Sequence, residues 1–319
     1  MKNAVVISTR SNRPLVEDVV KHLDKPLCDV NIYDFADSEI AVEIKENIRK
    51  CEVFIIAGTT IASNVNSDIM ELMLLIDAVK RSSPDKITII FPYFYYARQD
   101  RRIGRSPISG KVLSDMLSNS GIDSVICIDL HSLQTQGFFS SSVVCEHASA
   151  LVTMMHHVKF NCYDCVVSAD TGGAARARYF GSLLGLPLVI VDKRRSGPGE
   201  SEVMNLIGDV VGKSCCIVDD MIDGGGTVCN ASFVLMQAGA EAVDVVSVHG
   251  LFSGDAFVAI DDAPINKVYV SDSIQLRRNG KAIRSDMVSD KIKVVTISKL
   301  LAETIRRACN GESLKALVK

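Results

Sequence analysis

Short apolar runs alternate with longer helical patterns almost from end to end of this chain, and no other feature constrains its fold as strongly. The runs are AVVIS (4–8), VFIIAG (53–58), ITIIF (87–91), SVICID (124–129), CVVSA (165–169), PLVIVD (187–192), CCIVDD (215–220) and VDVVSV (243–248). They are apolar throughout rather than at every second position. Such strands are covered on both faces, as in parallel sheets flanked by helices. Between them lie amphipathic stretches. In Ser67–Arg81, the residues Ile69, Leu72, Met73, Ile76 and Val79 share one helical face, with Ser67 as the expected N-cap and Asp68 favourable in the first turn. Thr227–Ala238 reads as a second helix, with Gly239 as its C-cap. The alternation predicts an α/β fold of doubly wound, mainly parallel sheets. At about 150 residues per domain, 319 residues suggest two domains of similar size. The polar run Ser140–Ser142 puts the expected boundary at 146/147, giving domains 1–146 and 147–319. The last stretch, Ser298–Lys319, reads as an amphipathic helix with a polar tail, able to pack back on the first domain.

Composition removes several classes of function. With 47% hydrophobic and 23% charged residues the chain is an ordinary globular one, and its net charge of 35 − 38 = −3 lacks the basic excess of a nucleic-acid binder. No apolar run approaches the roughly 18 residues that cross a bilayer. The opening Ala4-Val5-Val6-Ile7 falls short of the about 7 apolar residues of a signal peptide. The expectation is a cytoplasmic protein with no membrane or nucleic-acid partner. Most of the ten cysteines sit inside apolar runs, where a reduced thiol behaves as a small buried side chain. Cys162 and Cys165 form a C-x-x-C without the second ligand pair that a structural zinc site needs.

The ends of the strands carry the chemistry, because ligands in open α/β sheets bind beyond the carboxyl ends. The strongest cluster is CCIVDDMIDGGGTVCNA (215–231), in which a strand runs into Asp219-Asp220, then Asp223, three glycines and Thr227, then a helix. Glycines let backbone N–H groups approach a phosphate, and the helix N-terminus adds free donors and partial positive charge. Paired carboxylates suit sugar hydroxyls or a metal. The combination suggests a phosphorylated sugar; the blander alternative is a glycine-rich turn with a solvated acidic edge.

Four further clusters follow the same rule. FPYFYYARQDRR (91–102) sets Arg98, Arg101, Arg102 and, just beyond, Arg105 beside several aromatics, which suits a polyphosphate and a stacked base, or simply a solvated arginine face. DLHSLQTQGFF (129–139) delivers His131 to a strand end, as a metal or phosphate ligand or merely a satisfied polar partner. CVVSADTGG (165–173) delivers Asp170, the natural type of Mg²⁺ ligand, to another. Lys193-Arg194-Arg195 precede the flexible Ser196-Gly197-Pro198-Gly199, which reads either as a lid closing on a polyanion or as a basic surface turn.

The 215–231 segment, through its VDDMID opening, resembles the ribose-phosphate pyrophosphokinase family within the phosphoribosyltransferase fold group. YARQD (96–100), DLH-x-x-Q-x-QGFF (129–139), an SAD-x-GG that stands for the family's SPD-x-GG (168–173), KRR (193–195) and FADSE (35–39) extend the resemblance from Ser8 to about Leu317. It implies two phosphoribosyltransferase-like domains. ATP would be bound by Arg98, Gln99 and Asp100, with Phe35, Asp37 and Glu39 reaching the base from a neighbouring subunit. Ribose 5-phosphate would be bound by Asp219, Asp220, Asp223, Gly224, Gly225, Gly226 and Thr227, Mg²⁺ by His131 and Asp170, and catalysis would fall to Lys193 and Arg195. The implied reaction moves the β,γ-diphosphoryl group of MgATP to the anomeric hydroxyl of ribose 5-phosphate, and the implied assembly is a dimer-based homo-hexamer. The chain departs from the family pattern at Gly224-Gly225 (usually Thr-Ala or Thr-Cys), Ser38 (glycine), Ala36 (serine) and Ala169 (proline). Two rivals are a non-catalytic regulatory subunit of the same family, which would carry insertions not found between Val191 and Glu202, and a type I phosphoribosyltransferase, which has no use for YARQD or KRR.

Overall fold

The computed structural model describes residues 3–61, 63–155, 157–158, 162–194, 203–278, 281–282 and 289–318. In chain order the elements are β1 (Ala4–Ser8), α1 (Arg13–Leu23), β2 (Val30–Asp34), β3 (Ile40–Ile44), β4 (Glu52–Ile56), β5 (Thr59–Thr60), α2 (Val65–Arg81), β6 (Lys86–Phe91), α3 (Ser109–Asn119), β7 (Ser124–Ile128), β8 (Val144–Ala148) and α4 (Leu151–Met155). They continue with β9 (Cys165–Ser168), α5 (Ala174–Leu184), β10 (Leu188–Arg194), β11 (Val203–Ile207), β12 (Ser214–Ile222), α6 (Gly226–Gln237), β13 (Ala242–Gly250), α7 (Ala256–Asp262) and β14 (Val268–Ser271). The short pieces β15 (Ile274–Gln275), β16 (Arg277–Arg278) and β17 (Lys281–Ala282) lead to β18 (Ile292–Val295) and α8 (Ser298–Asn310). Two compact units result. One holds Met1–Val152 with Ser273–Gln275 and Thr296–Lys319, the other Thr153–Asp272 with Leu276–Val295.

The first unit is built on a five-stranded sheet in the order β1-β4-β6-β7-β8, parallel throughout. The apolar runs become strands buried on both faces; Val53, Phe54, Ile55 and Ile56 are all inaccessible to solvent. Each such side chain contributes about 1.5–3 kcal/mol of burial free energy. The helix expected from Ser67 starts earlier, at Val65, because Asn64 is the cap: its Oδ1 accepts from the N–H groups of Asn66 (3.1 Å) and Ser67 (3.3 Å). Ser67 is thus already inside the first turn and is not the N-cap. Asp68 does more than complement the helix dipole. It is buried, and its carboxylate accepts from Ser11 Oγ at 2.7 Å and Ser63 Oγ at 2.9 Å. Helix α8 packs on α1, and Arg306 donates to the carbonyl of His22 at 3.2 Å. The tail after Gly311 is less polar in behaviour than its composition suggests, since Leu314 is buried.

The second unit is a seven-stranded sheet in the order β11-β10-β9-β12-β13-β14-β18, in which only the β10–β11 pair is antiparallel. From β9 the chain winds outward through β10 to β11, then returns to β12 and winds the other way. The strand order reverses between β9 and β12. Two neighbouring connections leave in opposite directions there, which opens a crevice at the carboxyl ends. Helix α6 ends at Gln237, and Gly239 lies just beyond its cap at φ +92°. Cys165 and Cys215 face each other across the β9–β12 pair, sulfur to sulfur at 3.5 Å, both buried. No helix among the described residues is long and apolar enough to cross a membrane.

Candidate active site

The reversal between β9 and β12 places the acidic clusters at one edge of the second unit. Strand β12 carries Asp219 and Asp220 near its carboxyl end, flanked by the buried Val218 and Met221, so the sheet fixes the backbone of both acids. The Asp220 side chain is only 4% exposed and accepts from an Arg176 guanidinium nitrogen at 2.9 Å. The Asp219 side chain is 20% exposed, lies 3.6 Å from the same nitrogen, and accepts the Asp220 backbone N–H at 2.8 Å. Burial, then the neighbouring Asp220 charge, push the Asp219 carboxyl up to about 7, against a smaller opposing pull from Arg176. Opposite Asp219 on β13 stands Ser247, whose buried Oγ has no hydrogen-bond partner among the described residues.

Beyond β12 the chain turns through Asp223 and the three glycines into α6. Gly225 is the N-cap residue at φ +79°, a conformation in which an L side chain is strained. Nothing lies within 4 Å of where a Cβ would stand on Gly224 or Gly226. No side chain caps α6, its first turn has no acidic residue, and Thr227 beside it is exposed. An N-terminus of this kind offers free N–H donors and partial positive charge. On the other side of the crevice, Asp170 follows β9. Its Oδ1 accepts the Gly173 N–H at 2.8 Å, and Ser168 Oγ bonds its carbonyl at 2.7 Å. The turn holds an exposed carboxylate at the entrance to α5, whose first turn supplies Arg176.

Lys193 is at the carboxyl end of β10, paired with Met204 of β11. Only its backbone is described, and Arg195 lies outside the described residues.

In the first unit, Arg98, Gln99 and Asp100 follow β6. Arg98 and Gln99 are exposed, and Gln99 is held by Ser109 Oγ on its Oε1 at 2.5 Å and by the Gly110 N–H on its carbonyl at 3.1 Å. Three of the aromatics that precede them are closed to a stacking base, while Tyr96 is half-buried and its hydroxyl donates to Asn66 Oδ1 at 2.5 Å. Tyr93, Phe94 and Tyr95 are buried; Phe91 meets Phe94 and Tyr95 edge-on at 5.2 and 5.4 Å, and the Tyr95 hydroxyl donates to the Gly58 carbonyl at 2.6 Å. These three anchor the loop in the core. His131 is exposed after β7. Its neighbour Asp129 is instead structural: buried at φ +42°, it accepts from Ser149 Oγ at 2.8 Å and from the Ala150 N–H at 2.5 Å, tying β7 to β8. Phe35, Asp37 and Glu39 lie on the β2–β3 hairpin turn. Phe35 is half exposed beside Tyr33, and Asp37 Oδ1 accepts the Glu39 N–H at 3.1 Å. Ser38 takes φ +74° there, the conformation that favours glycine.

Among the described residues no three His, Cys, Asp or Glu side chains cluster as a metal cage. Asp170 by itself is the type of carboxylate that nucleotide-bound Mg²⁺ takes alongside phosphate oxygens. Sequence reasoning missed Arg176 and Ser247. Arg176 lies 43 and 44 positions from the acids it faces, and Ser247 on a separate strand; in a single sequence neither carries a signal.

A parallel-sheet switch point with a glycine-lined helix N-terminus and an acid pair defines a transferase of phosphoribosyltransferase-like architecture. The comparisons make this specific. Residues 4–121 match the N-terminal domain of ribose phosphate pyrophosphokinase, and residues 164–319 match the phosphoribosyl synthetase-associated domain. The chain is 42% identical to the ribose-phosphate pyrophosphokinase of Agrobacterium fabrum over 317 residues, 98% of this chain and 99% of that protein. It is 43% identical to that of Chromobacterium violaceum over 98% of this chain and 94% of the relative. The phosphoribosylpyrophosphate synthetase of Mycobacterium smegmatis superposes with a TM-score of 0.88 at 33% identity, covering 97% of this chain and 99% of that one. The chain belongs to the ribose-phosphate pyrophosphokinase family.

Proposed function

We propose that the chain transfers the β,γ-diphosphoryl group of MgATP to the anomeric hydroxyl of ribose 5-phosphate, giving phosphoribosyl pyrophosphate and AMP. The observation that carries the reading is the succession along β12 and α6 of an acid pair, a glycine turn and an uncapped helix N-terminus. It offers acceptors for sugar hydroxyls and donors for a 5-phosphate on one continuous edge. A phosphate there would meet the N–H groups of residues 226–228 and the Thr227 hydroxyl, while Asp219 and Asp220 would orient the ribose. Asp223 opens the turn between them.

Arg98, Gln99 and Asp100 are assigned to ATP, together with Phe35, Asp37 and Glu39 of a neighbouring subunit in a dimer-based hexamer. The half-exposed Phe35 ring on its hairpin tip supports that role. His131 and Asp170 would hold Mg²⁺, which neutralises phosphate charge when bound. Phosphoryl transfer leaves a protein mainly positioning and charge stabilisation. Lys193 and Arg195 would meet the charge developing on the diphosphoryl group and the departing AMP. The assignment extends to a cytoplasmic enzyme.

Incubation with MgATP and ribose 5-phosphate should yield AMP and phosphoribosyl pyrophosphate one for one; ADP in place of AMP would make the chain a simple kinase and refute the reading. Lys193→Ala should lower kcat about 100-fold or more, as loss of a transition-state contact does. A kcat close to that of the unaltered enzyme would remove Lys193 from catalysis.

A further inference from the structure

Asp219 and Asp220 are adjacent acids on one strand, yet their surroundings differ. Asp220 is almost wholly buried and makes a direct ion pair with Arg176 at 2.9 Å; Asp219 is the more open of the two, and at 3.6 Å it is beyond hydrogen-bond reach of that nitrogen. Arg176 reaches them from the first turn of α5, a rigid helix that packs on both β9 and β12. Resting on the diphosphoryl-transfer reading, we propose that Arg176 is a positioning residue that divides the labour of the acid pair: it fixes Asp220 as the ribose ligand and leaves Asp219 to take the proton of the anomeric hydroxyl.

The proton balance is simple. The anomeric oxygen forms a bond to the β-phosphorus, its proton passes to an Asp219 carboxylate oxygen, and the bond from the β-phosphorus to the α,β-bridging oxygen breaks with its electron pair leaving on AMP. Asp219 then returns the proton to water. A carboxyl that titrates near 7 suits this task better than an ordinary one, because it accepts a proton readily at neutral pH. The groups that set this titration are few. Asp220 lies on the same strand and Arg176 on α5. The paired residue on β13 is the uncharged Ser247, with buried His249 two residues beyond it, and β9 ends in Ser168, also uncharged. Asp223 follows at the turn. Removing the Arg176 cation therefore raises the Asp219 carboxyl further and loosens Asp220.

The test uses the full chain with Arg176→Gln, Arg176→Lys and Asp219→Asn, in two measurements. Calorimetric binding of ribose 5-phosphate, which needs no turnover, should weaken at least 10-fold in Arg176→Gln and recover in large part in Arg176→Lys. The acidic limb of the kcat–pH profile should move upward by at least half a pH unit in Arg176→Gln and disappear in Asp219→Asn. A residue that merely supports the fold would change the active fraction and leave both the limb and the affinity in place. Unchanged affinity together with an unmoved limb in folded Arg176→Gln overturns the proposal, and so does a normal acidic limb in Asp219→Asn. If Arg176→Gln does not fold, the pair Arg176→Met with Asp220→Asn removes the orphaned buried charge; because Asp220 raises the Asp219 carboxyl more than Arg176 lowers it, the limb should then move downward, and an unmoved limb is again a refutation. Unaltered enzyme that binds ribose 5-phosphate but makes no phosphoribosyl pyrophosphate would refute the diphosphoryl-transfer reading and the proton role, while the binding comparison would still decide the positioning role.

Discussion

Two adjacent glycines in the phosphate turn should respond in opposite ways to the same added methyl group. Gly225 sits at φ +79°, and a Cβ there would meet the Ala256 carbonyl oxygen at 3.6 Å, Cys229 Sγ at 3.7 Å and Ile260 Cγ1 at 3.7 Å. Those are ordinary van der Waals contacts, so the cost of Gly225→Ala is almost entirely backbone strain, about 1–2 kcal/mol. Gly224 has open space around its Cβ position and a φ outside the left-handed region. Gly224→Ala should be neutral or stabilise by up to about 1 kcal/mol, since it narrows the unfolded ensemble. At about 3 °C per kcal/mol, Gly225→Ala lowers the melting midpoint by about 3–6 °C, and Gly224→Ala leaves it level or slightly higher. The functional effect follows from the same geometry. Gly225 is the cap from which the first N–H groups of α6 are aimed, so relaxing its strain turns them away from a bound phosphate. Losing one such charge-assisted hydrogen bond, worth about 1.5–3 kcal/mol, raises KM for ribose 5-phosphate at least 10-fold. Thermal unfolding and initial-rate kinetics on the two variants side by side are sufficient. A Gly224→Ala whose melting midpoint falls as far as that of Gly225→Ala would refute the strain argument, because the open space and ordinary φ at Gly224 leave no source of strain.

Ser38→Gly should stabilise the β2–β3 hairpin turn by about 1 kcal/mol, because Ser38 holds φ +74°; an unchanged midpoint in urea unfolding would mean the turn adapts without strain. Arg10→Met strips a guanidinium that bonds Glu71 at 2.6 Å, and the Glu71 side chain is only 4% exposed. Breaking a buried pair costs about 3–5 kcal/mol, but Arg10 is 38% exposed and water can reach the gap, so about 2 kcal/mol is expected, recovered in large part by adding Glu71→Gln. Asp219 holds its proton up to about pH 7 in the folded state against 3.8 ordinarily, so the folded protein binds more protons across that window, and the associated stability is lost as pH rises through it. Asp219→Asn should accordingly be about 4 kcal/mol more stable than the unaltered protein at pH 8 and equal to it near pH 4 by urea unfolding; a constant difference across that range would contradict the shift.

What the sequence disclosed divides along a physical line. Strands buried on both faces announce themselves as continuous apolar runs, and the runs at 4–8, 87–91, 165–169 and 215–220 all became strands of the two central sheets. The hairpin β2–β3 did not, because its side chains are largely half-exposed and its sequence, VNIYD and IAVEI, mixes polar with apolar positions. Boundaries shifted where a local hydrogen bond decides them: Asn64 outcompetes Ser67 as a cap because it stands one residue before the helix, where its side chain can turn back on the first N–H groups. Burial of aromatics in the YFYYARQD loop escaped notice for a different reason. A tyrosine that stacks on a ligand and a tyrosine that packs under a loop have the same letter, and only the core beneath tells them apart.

The acids of the site were legible and their controlling cation was not, and this asymmetry follows from how an α/β sheet builds a site. A strand end exposes its own polar residues in sequence order, so Asp219, Asp220, Asp223 and the glycines read as one string. The groups that tune them come from the neighbouring connection, which the strand reversal between β9 and β12 brings alongside; Arg176 is one turn into α5, in a segment whose nearer residues, Asp170 and Gly173, bond to each other and attract all the attention. The 2.9 Å and 3.6 Å contacts of that one nitrogen make two chemically identical side chains unequal. A pair of carboxylates with equal surroundings could serve as ligands to a sugar but could not assign the proton to one of them. On the proposed reading, inequality would let a rigid acid pair both bind a hydroxyl-rich substrate and accept its proton, with the cation supplied from outside the motif.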